Sequence, residues 1–235
     1  MYGYHELPFE IEKDGIFISV KMEGEQLVYR RTCLDEATEK IILTQNGTLF
    51  INPVEPLIKP VDITPHFLIE FGKPVMVEPK SESKIYLKFP VEIGVFLNSH
   101  RSYDILDSIT LMPQKFSLYG DARNGLICKY WFSDVYGSMP PADILHEGVL
   151  ELNINNTTSK WIEITKAVFN AYGMKIYYGK DRVSMRAHMR VLSEMIAETD
   201  FIDAPIKTGM EKSIEYYAAR RMSVLTTKFV MELGL

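Results

Sequence analysis

Between Arg182 and Met195 the sequence alternates with a period of two, and this constrains the fold more than any other stretch. The odd positions are Val183, Met185, Ala187, Met189, Val191, Ser193 and Met195, six of seven apolar, whereas Leu192 is the one apolar residue at the even positions. Successive side chains of a β-strand point to opposite faces, so this pattern predicts a strand that buries one face and wets the other. A helical reading stays open, because Met, Ala, Arg and Leu favour helices and Met185, Met189, Leu192 and Ile196 also trace a helical stripe.

Strand signals recur along most of the remaining chain. Runs rich in β-branched and aromatic residues, five to eight long, are separated by turn residues. Residues 15–22 and 26–31 are expected to pair across Gly24. Residues 41–44 and 48–51 flank Asn46-Gly47, a hairpin signal because both turn positions tolerate positive φ. Seven of the twelve prolines fall between residues 53 and 90. Proline has no ladder donor, so strands there should start, end or lie at sheet edges. Short strands at this spacing predict a mainly β fold, with β-sandwich-like antiparallel sheets in one or two units.

The consecutive prolines Pro140 and Pro141 mark the expected boundary. They divide the chain into an N-terminal β domain over 1–138, a C-terminal β unit over 142–206 and a tail over 207–235. In the tail, Thr208 and Glu211 match a capping box, and Met210, Ile214, Ala218, Met222, Leu225, Phe229 and Leu233 recur at helical spacing. One long amphipathic α-helix is expected there, either lying across a sheet or mediating self-association into a homo-oligomer.

Hydrophobic residues at 46% exclude a disordered chain, and a net charge of -5 offers no global field for nucleic acid. No membrane insertion is expected, since no run approaches the roughly 18 apolar residues that span a bilayer. With no apolar leader at the start and only Cys33 and Cys128 as thiols, the expected location is cytoplasmic and the cysteines reduced. Phosphate-binding loops, dinucleotide fingerprints, zinc-spaced clusters and nucleophile elbows do not occur, so no cofactor or metal is expected.

Three functional readings follow. The first is a non-enzymatic binding or assembly module that self-associates. The second is an enzyme, hydrolase-like or metal-dependent, with a loop cleft near His100, Asp104 and Asp107, or near Asp121 with Arg123. The third uses the polar face of the alternating stretch: as a strand it would carry Arg182, Arg186 and Arg190 about 13 Å apart, with His188 between two of them. Arginine presents a rigid fork that suits phosphate and carboxylate, so this row would bind a small anionic ligand. Tyr130, Trp131 and Phe132 are expected in the core or at a subunit contact.

Several stretches, among them Pro53-Val-Glu-Pro-Leu57, His66-Phe-Leu-Ile-Glu-Phe71, Lys88-Phe-Pro-Val-Glu-Ile-Gly-Val95, Lys115-Phe-Ser-Leu-Tyr-Gly120 and Asn155-Asn-Thr157 before Trp161, resemble an archaeal family of conserved uncharacterised proteins, domain of unknown function 432. The likeness covers nearly the whole chain. It implies an archaeal cytosolic protein without an established activity, and it transfers no catalytic residues.

Overall fold

The structure, a computed structural model, describes residues 1–44, 47–56, 64–99, 102–216 and 227–235. Among them the chain is mainly β. In order the strands are β1 (Gly3–Glu6), β2 (Phe9–Lys13), β3 (Ile16–Glu23), β4 (Gln26–Cys33), β5 (Glu36–Ile42), β6 (Thr48–Val54), β7 (His66–Val77), β8 (Ser81–Pro90), β9 (Glu92–Ser99) and β10 (Ser102–Thr110). They continue with β11 (Phe116–Tyr119), β12 (Leu126–Ser133), β13 (Glu147–Asn156), β14 (Ile162–Asn170), β15 (Tyr177–Tyr178), β16 (Val183–Val191), β17 (Ala197–Ile202), β18 (Glu211–Lys212) and β19 (Phe229–Met231).

The chain divides into two units, Met1–Asn52 with Ile93–Ile109, and Pro53–Glu92 with Thr110–Leu235. The expected boundary at residues 137–141 falls inside the second unit. Chain order does not set the division, because strand pairing joins residues far apart: β8 and β13 pair over ten residues. Two four-stranded sheets, β2-β3-β4-β5 and β1-β6-β9-β10, belong essentially to the first unit, and the second holds β11-β12-β7-β14 and a seven-stranded sheet.

In the first unit, β3 and β4 form the expected hairpin, with Gly24 at φ +62. Its turn requires a left-handed residue, which glycine adopts without a Cβ penalty. The second expected hairpin is not formed: Ile41 and Ile42 pair with Val28 and Leu27, while residues 48–51 pair with β1. Asn46 itself lies outside the described residues. The two flanking strands belong to different sheets, so a favourable local turn was overridden by longer-range pairing. Tyr29 and Arg31 of β4 reach Asp107 of β10, the hydroxyl and Nε each donating to Oδ2 at 2.9 Å.

The second unit carries the alternation recognised in the sequence. Val183, Met185, Ala187, Met189 and Val191 are all fully buried in β16, so the strand reading holds. The register places Met185, Ala187 and Met189 beside Leu150, Leu152 and Ile154 of β13, which in turn adjoin Leu87, Ile85 and Ser83 of β8. Burying a side chain of this kind stabilises by roughly 1.5–3 kcal/mol, and the apolar row runs across three strands. The β13–β16 and β12–β7 pairings are parallel, which antiparallel expectations had not included. The apolar face of the seven-stranded sheet meets β14: Thr199 Oγ1 donates to the Val168 carbonyl, and the rings of Phe201 and Phe169 lie 5.0 Å apart.

Gly148 sits in β13 directly under the buried ring of Phe89, and a Cβ there would collide with the ring. Gly148→Ala is therefore expected to cost about 1–3 kcal/mol through overpacking, measured by urea denaturation. No loss would mean that Phe89 can withdraw.

The long tail helix is not formed. Glu211 and Lys212 are strand residues paired with Tyr178 and Tyr177, and Phe229–Met231 pairs with β17. Tyr178 donates to Glu211 and Lys212 to Asp203, both at 2.7 Å, so the sheet supplies partners that a capping box would have satisfied locally. Tertiary pairing thus outweighs local helix propensity. Residues 217–226 lie outside the described residues. No helix among those described is long and apolar enough to cross a membrane.

Candidate functional site

The polar face of the seven-stranded sheet is built by the same register that aligns its apolar face. Asn153 lies between Lys84 of β8 and His188 of β16, and Asn155 lies between Glu82 and Arg190. Because paired residues project to the same side, these six side chains share one surface. They line a cleft of about 630 Å³. The preceding rung is Tyr86, Glu151 and Arg186, and it closes one end of the surface: Glu151 and Tyr86 are both buried.

Within that rung Arg186 is committed to Glu151, with Nε 2.9 Å from Oε1. Tyr86 donates its hydroxyl to Oε2 at 3.3 Å, and Lys84 Nζ stands 3.7 Å from the same oxygen. Asn155 donates to Glu82 at 3.0 Å, fixing the orientation of both. Arg190 is 58% exposed and only 4.0 Å from Glu198, which Lys228 also approaches at 3.4 Å. A half-exposed guanidinium at that range keeps most of its donors toward solvent, and so toward a ligand. On the neighbouring strand His188 pairs in register with Asp200, whose Oδ1 is occupied by the Phe201 amide at 2.8 Å.

Of the four residues expected to bind an anion, the structure brings His188 and Arg190 into the cleft. Arg186 stands behind them, neutralised by Glu151. Arg182 precedes β16 and is held by Asp181 at 2.9 Å; its guanidinium keeps the Asp181 carboxyl below its ordinary value. Lys84, Asn153 and Asn155 were missed. Each stands on the polar side of an alternating run, so the signal existed, but nothing local shows that β8, β13 and β16 are neighbours.

Asp104 and Asp107 do not converge on one point. Asp104 is exposed, whereas Asp107 is buried and shared between Tyr29 and Arg31. Three residues apart on one strand, they face opposite sides. His100 lies outside the described residues. Asp121 Oδ1 accepts from the Arg123 and Asn124 amides at 2.7 and 3.0 Å, which makes it a turn cap whose carboxyl is held below its ordinary value. No group of three or more metal-ligating side chains occurs among the described residues. Cys33 and Cys128 are free and buried, and burial pushes the Cys128 thiol up to about 12. Phe132, expected in the core or at a subunit contact, is 53% exposed.

No curated protein and no solved structure matches the chain. A family model described as protein of unknown function matches residues 1–232. The match spans nearly every residue, and the chain accordingly belongs to that family, DUF432.

Proposed function

We propose that this chain is a non-enzymatic binding module whose ligand is a small polar molecule bearing a phosphate or carboxylate, seated on the polar face of the seven-stranded sheet. The observation that carries this reading is the convergence of Lys84, His188 and Arg190 on one cleft, flanked by the amides of Asn153 and Asn155. Arg190 supplies the bidentate fork, Lys84 a second positive charge, and the amides set orientation. Glu82 and Glu151 limit the total charge the cleft can accept and favour a ligand with hydroxyl or amine donors beside its acid group. With its apolar face against β14, the sheet leaves this polar face available among the described residues.

Isothermal titration with inorganic phosphate and with citrate tests the proposal. Saturable binding is expected, weakened roughly 10- to 100-fold by Arg190→Ala, because a charge-assisted hydrogen bond contributes about 1.5–3 kcal/mol. Arg190→Lys should recover only part of the loss, since lysine lacks the fork. Absence of saturable binding by either probe, or an Arg190→Ala variant that binds as the parent does, would refute the assignment.

A further inference from the structure

The polar face of the seven-stranded sheet does not carry its charge evenly. On β16 it presents Arg186, His188 and Arg190, in register with Glu151, Asn153 and Asn155 of β13. On β8, across β13, the same face presents Tyr86, Lys84 and Glu82. Basic groups therefore line one side of the cleft, and a carboxylate stands at the far corner.

The two carboxylates of these rungs differ in what they already hold. Glu151 is buried and spent: Oε1 accepts from Arg186 at 2.9 Å and Oε2 from the Tyr86 hydroxyl at 3.3 Å. Glu82 is exposed, and its Oε1 accepts the Asn155 amide at 3.0 Å. Its Oε2 has no hydrogen-bond or ion-pair partner among the described residues. Lys84, two residues along the same strand face, stands 3.7 Å from Glu151 instead. Asn155 fixes the Glu82 carboxylate through Nδ2 and keeps Oδ1 as a second acceptor beside it. In register, Asn155 separates Glu82 from Arg190, so carboxylate and guanidinium flank one residue, two strand spacings or about 10 Å apart at the backbone.

We infer, resting on the reading that this cleft holds an acid group, that its ligand is a zwitterion. Its phosphate or carboxylate lies on Arg190, and its ammonium lies on Glu82 Oε2 and Asn155 Oδ1, with a short chain between them crossing Asn155. A ligand bearing only an acid group would bring that charge toward Glu82 with nothing to offset it, whereas an amine turns the same approach into an attraction. Glu82 is thereby a specificity residue, and Arg190 the anion anchor.

Isothermal titration of the full chain with 3-aminopropyl phosphate and with butyl phosphate isolates the amine, because the two differ by a terminal ammonium against a methyl group. The ammonium is expected to tighten binding roughly 2- to 5-fold, the size of an exposed ion pair. Glu82→Gln keeps an acceptor for Asn155 and should abolish that preference, with butyl phosphate binding as well as before or better. Equal affinity of the parent for both phosphates, or a preference that survives Glu82→Gln, would overturn the inference and leave the anion site standing. Failure of both phosphates to bind would remove the anion site and the inference with it.

Discussion

Replacing Asp107 by alanine is expected to destabilise the protein by about 3–5 kcal/mol, the usual cost of removing one partner from a buried ion pair. Asp107 and Arg31 are 9% and 3% exposed, and the carboxylate also receives the Tyr29 hydroxyl and the Ser108 amide. Burial, with Asp107 alongside, pushes the Tyr29 hydroxyl far above its ordinary value, so it remains a donor at any workable pH. Without Asp107, the Arg31 guanidinium stays buried; Thr38 at 2.7 Å and the exposed Glu36 at 3.5 Å remain near it. Replacing both charges, as in Arg31→Met with Asp107→Leu, should recover part of the loss, because no charge is left buried while the Tyr29 hydroxyl still loses its acceptor. Chemical denaturation of the single and double variants checks this. A neutral Asp107→Ala would show that the network does not support the first unit, and would return Asp107 to consideration as a functional residue.

A second large effect is expected at Glu55, where stability should fall as pH rises. The carboxyl is 3% exposed; Oε2 accepts the Tyr216 amide at 2.9 Å, and Oε1 has no hydrogen-bond partner among the described residues. Burial is the main cause that raises its pKa from 4.5 to about 7, with Glu215 adding repulsion and Lys175 opposing it. A folded-state value above the unfolded one means that the native state binds the extra proton between those limits. Stability is then full below about pH 4.5 and is lost as pH climbs toward 7 and beyond. The difference corresponds to about 3 kcal/mol between pH 4 and pH 8. Glu55→Gln keeps an acceptor for Tyr216 but cannot ionise. It should match the parent near pH 4 and exceed it by that amount near pH 8, in parallel urea titrations. An equal difference at both pH values would show that Glu55 titrates normally in the folded chain.

Much of this architecture is written locally. The alternation in β16 identified its buried and wet faces before any partner strand was known, and the turn at Gly24 connects the strands it was expected to connect. The tail failed for a physical reason: helical spacing at Met210, Phe229 and Leu233 describes what a segment prefers alone, whereas β15 and β17 offer it strand partners. Likewise, Asn46-Gly47 carries the chemistry of a hairpin, yet its flanks find better partners in β4 and β1. The site was half legible. His188 and Arg190 stand out on their own strand, but Lys84 lies about a hundred residues earlier, and only pairing through β13 brings it alongside. Ion pairing was invisible in the same way, since Glu151 and Asp181 decide which arginines keep free donors.

The most direct test is an amide NMR titration of the isotopically labelled chain with inorganic phosphate. Saturable shifts concentrated at Lys84, Asn153, Asn155, His188 and Arg190, with Arg182 and Asp104 unmoved, are the predicted result. Shifts that fail to saturate, or that centre on Asp104 and the residues around Asp121, would contradict a ligand site on the polar face of the sheet.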